Sequence, residues 1–206
     1  MEAAYVVMLP VKPPARGKSR LRGLPDERRR ELAEAFALDT AAACLAATSV
    51  HAVLAVTDDA AFAVRLGALG CVSIPDGGDG LNGALRQGAA EAARRWPDRQ
   101  PVALLADLPA LRPDDLDAAL AALVPGGASY VADTEGTGTT LYTAPYDEFD
   151  PEFGVDSALA HRDAGGLAVA GELASLRRDV DDLDDLRAAV ALGVGAATAA
   201  VAAGLV

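Results

Sequence analysis

The chain reads as an α/β protein built around a mixed, mostly parallel sheet. Three observations predict it. Short apolar runs alternate with segments of helical period as far as Leu123, the texture breaks at Pro125-Gly126-Gly127, and two strand-like runs then follow close enough to pair directly. Alternation of the first kind implies βαβ units with parallel strands. A directly joined pair is antiparallel, so the sheet is expected to be mixed.

Taken in order, the expected strands are Tyr5 to Leu9, Ala52 to Thr57, Cys71 to Ile74 and Val102 to Ala106, each a run of apolar residues bounded by turn formers. Between them, Asp26 to Ala47 begins after Pro25 and carries Leu32, Ala35, Phe36, Asp39 and Ala43 at roughly helical period. Asp59 to Leu69, Asn82 to Arg95 and Pro113 to Leu123 are the next helices. Asp58 is expected to cap the one beginning at Asp59. Ser129 to Asp133 and Thr139 to Ala144 form the strand pair, joined through Thr134-Glu135-Gly136-Thr137-Gly138. From Ala188 onward the tail carries no charge. Its Ala and Gly content argues against a membrane span and for a closing helix packed on the sheet with a loosely ordered end.

With 206 residues, 51% apolar and 23% charged, the chain is expected to form a single domain, residues 1–206, with a substantial core. A net charge of -12 repels polyanions, which argues against a nucleic acid or an anionic membrane as partner. Cys44 and Cys71 stand alone with no second thiol or histidine at ligand spacing. Neither a zinc site nor a disulfide framework is indicated, and the absence of a basic, secretion-type start points to the cytoplasm.

Two acidic clusters carry the strongest chemical signal. Asp107 directly follows the apolar run 102–106, and Asp179-Val180-Asp181 follows Leu173 to Leu176. A carboxylate at the end of a buried strand reaches the crevice where open α/β sheets bind ligands, and three oxygen donors suit Mg²⁺ on the phosphates of a nucleotide. In the bland reading Asp107 caps the turn into Pro109, and the acids from Asp179 to Asp185 are a solvated helix start.

Basic residues concentrate near the N-terminus. Lys12, Arg16, Lys18, Arg20 and Arg22 lie in the Pro- and Gly-bearing loop after the first strand, where Lys12, Lys18 and Arg20 could wrap a triphosphate and help pyrophosphate leave. Arg28, Arg29 and Arg30 read as an exposed helix face. A second loop, Pro75 to Asn82, is rich in turn residues, and Asn82 either caps the following helix or reads a base or ribose. Gly136 to Thr140 with Phe153 to Ser157 supply hydroxyls and open N–H groups fit for a phosphate, which singles out Thr139, Gly154 and Ser157. The alternative is a plain hairpin and a Ser cap. His161, one turn past Ser157, either faces the same pocket or is packed away, and His51 reads as surface or core.

Six stretches in order resemble the guanylyltransferases of coenzyme F-420 biosynthesis, with the actinobacterial branch that uses phosphoenolpyruvate the nearest in texture. They are Pro10-Val11-Lys12 with Lys18-Ser19-Arg20-Leu21, Leu81-Asn82 with Ala84, Ala106 to Leu111, Gly136 to Thr140, Phe153-Gly154 with Ser157 and His161, and Asp179-Val180-Asp181 with Asp185-Leu186. The resemblance implies a three-layer, Rossmann-like nucleotidyltransferase fold. Asp107, Asp179 and Asp181 would ligate Mg²⁺, and Thr139, Gly154 and Ser157 would bind phosphoenolpyruvate. GMP would pass from GTP to the acceptor's phosphate, with Lys18 and Arg20 aiding the leaving group, and the labile product would be handed to the next pathway enzyme. Gly17 and Asp156 depart from the pattern, the latter placing an extra carboxylate beside the acceptor cradle. A 2-phospholactate-using enzyme, a molybdenum-cofactor guanylyltransferase, a sugar transferase and a noncatalytic nucleotide-binding module are the competing readings.

Overall fold

In a computed structural model that describes residues 4–11, 21 and 23–205, seven strands form one mixed sheet in the order β3-β2-β1-β4-β6-β5-β7. β1 (Tyr5–Pro10), β2 (Val50–Val56), β3 (Val72–Ile74) and β4 (Gln100–Leu104) run parallel, while β6 (Thr139–Thr143) is antiparallel to both β4 and β5 (Ser129–Ala132). The expected strand pair therefore forms. Its second strand inserts between β4 and β5, and the two-residue β7 (Leu167–Ala168) closes the far edge in parallel with β5.

Helices cover both faces, as a buried parallel sheet requires. The central strand β1 shows the alternation directly: Val7 and Leu9 face α1 (Asp26–Ala46), α2 (Ala60–Leu69) and α4 (Pro113–Ala121), whereas Val6 and Met8 face α3 (Gly80–Arg95). α3 meets the sheet through the small residues Ala84, Gly88, Ala89 and Ala92, so its backbone lies close to Met8 and Val56. Cys44 and Cys71 are buried and free in the α1 face, and burial pushes both thiols up, Cys71 to about 11.

The C-terminal part departs from expectation. In place of a closing helix packed on the sheet, two short helices, α7 (Leu183–Leu192) and α8 (Ala196–Ala202), pack on the outer side of α1 around Leu32, Phe36, Leu186, Ala189 and Ala202. The cause is polar as well as apolar. Asp39 of α1 accepts from the N–H groups of Ala197 (3.0 Å) and Thr198 (2.7 Å), so a carboxylate from another helix caps α8. A side chain at Gly195 would collide with that carboxylate. No helix among the described residues is long and apolar enough to cross a membrane.

The cap of α2 is also corrected. Asp59 accepts from Phe62 N–H (2.9 Å), while the carboxylate of Asp58 takes the N–H of Asp76 (2.8 Å) and ties the β2 exit to the loop after β3.

Candidate functional site

The parallel strands reverse their order of succession between β1 and β4, with β2 and β3 on one side of β1 and β4 on the other. Open α/β sheets bind ligands in the crevice beyond the carboxyl ends of the strands at such a point. β1 and β4 leave the sheet side by side there, since Met8 lies opposite Ala103. Lys12, Lys18 and Arg20 belong to the segment that continues from β1 and lie outside the described residues.

Asp107 stands just past the end of β4, and its position is fixed from two sides. From α1, the buried Thr40 hydroxyl accepts the N–H of Leu108 (3.1 Å) and donates to Phe36 C=O (2.8 Å), with Ala106 C=O at 3.3 Å. From the other side, the Val180 N–H donates to the carbonyl of Asp107 (3.1 Å), a backbone bond that joins the two acidic clusters. Asp107, Asp179 and Asp181 consequently bring one carboxylate oxygen each within 4.8 Å of one another.

The acidic run divides its labour. Asp182 accepts from the N–H groups of Asp184 (2.9 Å) and Asp185 (3.0 Å), and Asp185 returns to the N–H of Asp182 (3.1 Å), a reciprocal cap that starts α7 and consumes both side chains. The helix-start reading thus holds for Asp182 to Asp185, while Asp179 and Asp181 turn toward Asp107. Hydrogen bonds from those backbone N–H groups hold the Asp182 carboxyl below its usual range. Asp185 also accepts from Asp181 N–H (3.1 Å) and lies 3.4 Å from the Arg178 guanidinium, so the pair steadies the Asp-Val-Asp turn from beneath.

Sequence reasoning missed the anchors of that turn. Arg177 donates to the carbonyls of Ala132 and Val169, each at 2.9 Å, and its own carbonyl accepts from Thr134 Oγ1 (3.0 Å), which stitches the segment before Asp179 to β5. Asp133, at the end of β5, and Glu135 also come within the same 4.8 Å range of Asp179. The Asp133 carboxylate is already turned to the N–H groups of Thr137 (3.0 Å) and Gly138 (2.8 Å), shaping the β5–β6 link. Any side chain at Gly138 would strike it. These anchors join residues far apart in the chain, and no local pattern announces them.

The donor set fits a hard divalent cation. Carboxylate oxygens are the ligands Mg²⁺ and Mn²⁺ prefer, and no imidazole or thiolate joins the trio.

β6 begins beside this cluster, because Leu104 pairs with Leu141 and the Leu105 N–H bonds the Thr140 carbonyl (3.0 Å). Continuing that register places Thr139 next to the exit of β4. Thr139 and Ser157 are buried, and Ser157 opens α5 (Ser157–Asp163) directly after Asp156, whose φ of 55° is the left-handed conformation. The Asp156 side chain makes no cap hydrogen bond to the helix. Gly154, Val155 and Asp156 are exposed.

His161 connects these pieces. Its Nδ1 lies 3.0 Å from Thr139 Oγ1, and its Nε2 accepts the N–H of Glu152 (2.9 Å). The ring stacks on Tyr142 (4.5 Å) and Tyr130 (5.8 Å) and meets the edge of Phe153 (5.4 Å). Burial pushes the imidazole down to about 4, against the raising effect of the Ser157 backbone. Of the alternatives left open by the sequence, the structure shows His161 packed away, with a bond to Thr139.

Asn82 lies in the first turns of α3 and not at its cap, which is Asp79. Its amide donates to Phe153 C=O (3.0 Å) and accepts from Phe153 N–H (2.9 Å), so one donor and one acceptor hold the loop that carries Gly154.

No protein-family model matches the chain. A phosphoenolpyruvate guanylyltransferase of Thermomonospora curvata is 49% identical over 206 residues, spanning 98% of this chain and 90% of that protein. The enzyme of the same name from Streptomyces coelicolor is 47% identical over 98% of this chain and 97% of its own length. Among solved structures, a protein of Desulfovibrio desulfuricans assigned as a nucleotide-diphospho-sugar transferase superposes with a TM-score of 0.68 at 20% identity, over 90% of this chain and 85% of that one. A 4-diphosphocytidyl-2C-methyl-D-erythritol synthase does so with 0.62 at 12%, over 93% and 99%. A Mycobacterium tuberculosis protein solved with manganese gives 0.52 at 20%, over 93% and 100%. At such identities these likenesses establish the nucleotidyltransferase-type α/β fold and nothing finer.

Proposed function

The chain belongs to the phosphoenolpyruvate guanylyltransferase family, and from that premise we propose that its switch-point crevice transfers GMP from GTP to the phosphate of phosphoenolpyruvate. A phosphate oxygen of the acceptor forms a bond to the α-phosphorus of GTP, the bond from that phosphorus to the bridging oxygen of the β-phosphate breaks, and pyrophosphate departs with the electron pair. The product is enolpyruvyl-diphospho-5'-guanosine. The observation that carries this reading is the convergence of three carboxylates at the exit of β4, beside the start of the strand that bears Thr139.

Each group has a task set by charge. Asp107, Asp179 and Asp181 would hold Mg²⁺, which when bound would offset charge on the phosphates that must meet and so lower the barrier between two anions. Lys12, Lys18 and Arg20 gather the triphosphate, and Lys18 and Arg20 offset charge on the departing pyrophosphate. Thr139, Gly154 and Ser157 seat the acceptor. Asn82 holds the Phe153 backbone of the acceptor loop with one donor and one acceptor, and its remaining amide N–H is left to donate to the nucleotide. No general base is needed, since a phosphate monoester is already ionised near neutral pH. That accords with a site whose buried histidine stays neutral.

Purified protein supplied with GTP, MgCl₂ and a panel of phosphoenolpyruvate, 2-phospholactate and 3-phosphoglycerate tests the proposal. Pyrophosphate release should be fastest with phosphoenolpyruvate, and mass spectrometry should find the mixed diphosphate. Preference for another acid would move the acceptor assignment within the same reaction, and no pyrophosphate from any of them would end it.

A further inference from the structure

We propose that His161 is a positioning residue that fixes the direction of the Thr139 hydroxyl, so that Thr139 meets the acceptor phosphate as a hydrogen-bond donor. The inference rests on the reading that this pocket takes the phosphorylated acid.

The geometry assigns the protons. A backbone N–H can only donate, so the Glu152 N–H at 2.9 Å requires a lone pair on Nε2. A neutral imidazole with its lone pair at Nε2 carries its proton on Nδ1, and Nδ1 lies 3.0 Å from Thr139 Oγ1. Thr139 therefore accepts from the ring, and its single hydroxyl proton is directed away from it. An imidazolium would instead aim an N–H at the Glu152 N–H, and burial among three aromatic rings further disfavours the charge.

The same ring reaches every part of the cradle. Thr139 is bonded directly, Gly154 follows two residues after Glu152, and Ser157 sits one turn earlier on the helix that carries His161. A ring that only filled space would need neither hydrogen bond. One that set Thr139 as a donor would keep its orientation before the acceptor arrives, which spares the acceptor an ordering cost.

Two substitutions separate the bonds. H161N places an amide N–H near the position of Nδ1 and restores donation to Thr139, while H161Q can place an amide oxygen near Nε2 and restores only the bond from Glu152. With thermal melting to verify folding, H161Q should raise KM for phosphoenolpyruvate roughly tenfold at unchanged KM for GTP, and H161N should retain the wild-type acceptor KM. In a T139V background the effect of H161Q on acceptor KM should vanish. Equal effects of both variants, or an effect of H161Q that persists beside T139V, would overturn the proposal. The tautomer is read independently of turnover, because the chain holds only His51 and His161 and a long-range ¹⁵N–¹H spectrum resolves both. A proton on Nδ1 of His161 is expected. Normal turnover with the proton on Nε2 would overturn this proposal alone, whereas wild-type protein that releases no pyrophosphate with any phosphorylated acid would overturn the acceptor reading and this proposal with it.

Discussion

The two halves of the site are held in opposite ways. The acidic half is a gathering of like charges held by its main chain: the Val180 N–H bonds the Asp107 carbonyl, the Thr40 hydroxyl takes the Leu108 N–H of the same turn, and the Asp182 and Asp185 carboxylates cap the start of α7. The half we assign to the acceptor is fixed by side chains, with a neutral ring and an amide tying β6, α3 and the 152–154 loop together. Ties to the main chain hold the three carboxylates near one another whatever their state of charge. Side-chain ties require the ring to stay uncharged, because a second proton would break the bond from Glu152. The first half should be sensitive in function to loss of charge, and the second in structure to gain of it.

The largest effect is expected from Asp107→Asn, which keeps the shape and removes one ligand. Pyrophosphate release should fall by at least about a thousandfold, near 4 kcal/mol of transition-state stabilisation. Addition of MgCl₂ should raise the melting temperature of wild type and leave that of the variant unchanged. A variant that keeps both turnover and the Mg²⁺-dependent shift would remove Asp107 from the metal site.

The acceptor half gives the next largest effect, and it is an effect of pH. The folded-state pKa of His161 is depressed from 6.5 to about 4, so between those values the unfolded chain binds a proton that the folded chain refuses. Stability is then complete above about pH 6.5 and declines as pH falls toward 4, by an amount on the order of 3 kcal/mol across the window. H161N, which cannot titrate, should show a shallower decline over that range. Urea midpoints at pH 7, 6, 5 and 4.5 measure it, and parallel slopes for the two proteins would mean that the ring is protonated without penalty.

How far the sequence showed this site follows from the same contrast. Asp107 was legible because a carboxylate at the end of an apolar strand run is a local signal, whereas Asp179 and Asp181 follow a short helix, Ala174–Arg177, and it is the fold that brings them to Asp107. Ser157 at a helix start was legible as a local signal too. Thr40 and the partners of His161 were not, since a threonine among alanines in α1 gains its meaning only from a turn far along the chain. The tail misled because its composition favours helix without saying against what. Asp39, read as one more residue on an apolar stripe, turned out to cap α8 and draw the tail onto α1. The short β7 has only Leu167 and Ala168, both exposed, and offers no pattern to read.

Thr40 offers the smallest effect and the sharpest test of the backbone ties. Thr40→Val preserves volume and removes the hydroxyl, which leaves the Leu108 N–H and the Ala106 carbonyl of the Asp107 turn without their buried partner. A buried donor stripped of its acceptor costs about 1 to 3 kcal/mol, and part of that cost should appear as movement of the turn and part as lost stability. The share that goes into movement is visible as metal affinity. The Mg²⁺ concentration for half-maximal activity should rise roughly tenfold, the low end of the usual effect of groups that orient ligands without touching the ion. Thr40→Ser keeps the hydroxyl and should keep both the metal dependence and most of the stability. If Thr40→Val melted lower yet required no more Mg²⁺, the clamp would be a feature of the fold alone. The acidic half would then depend on the Val180–Asp107 bond, the Arg177 anchors and the cap of α7.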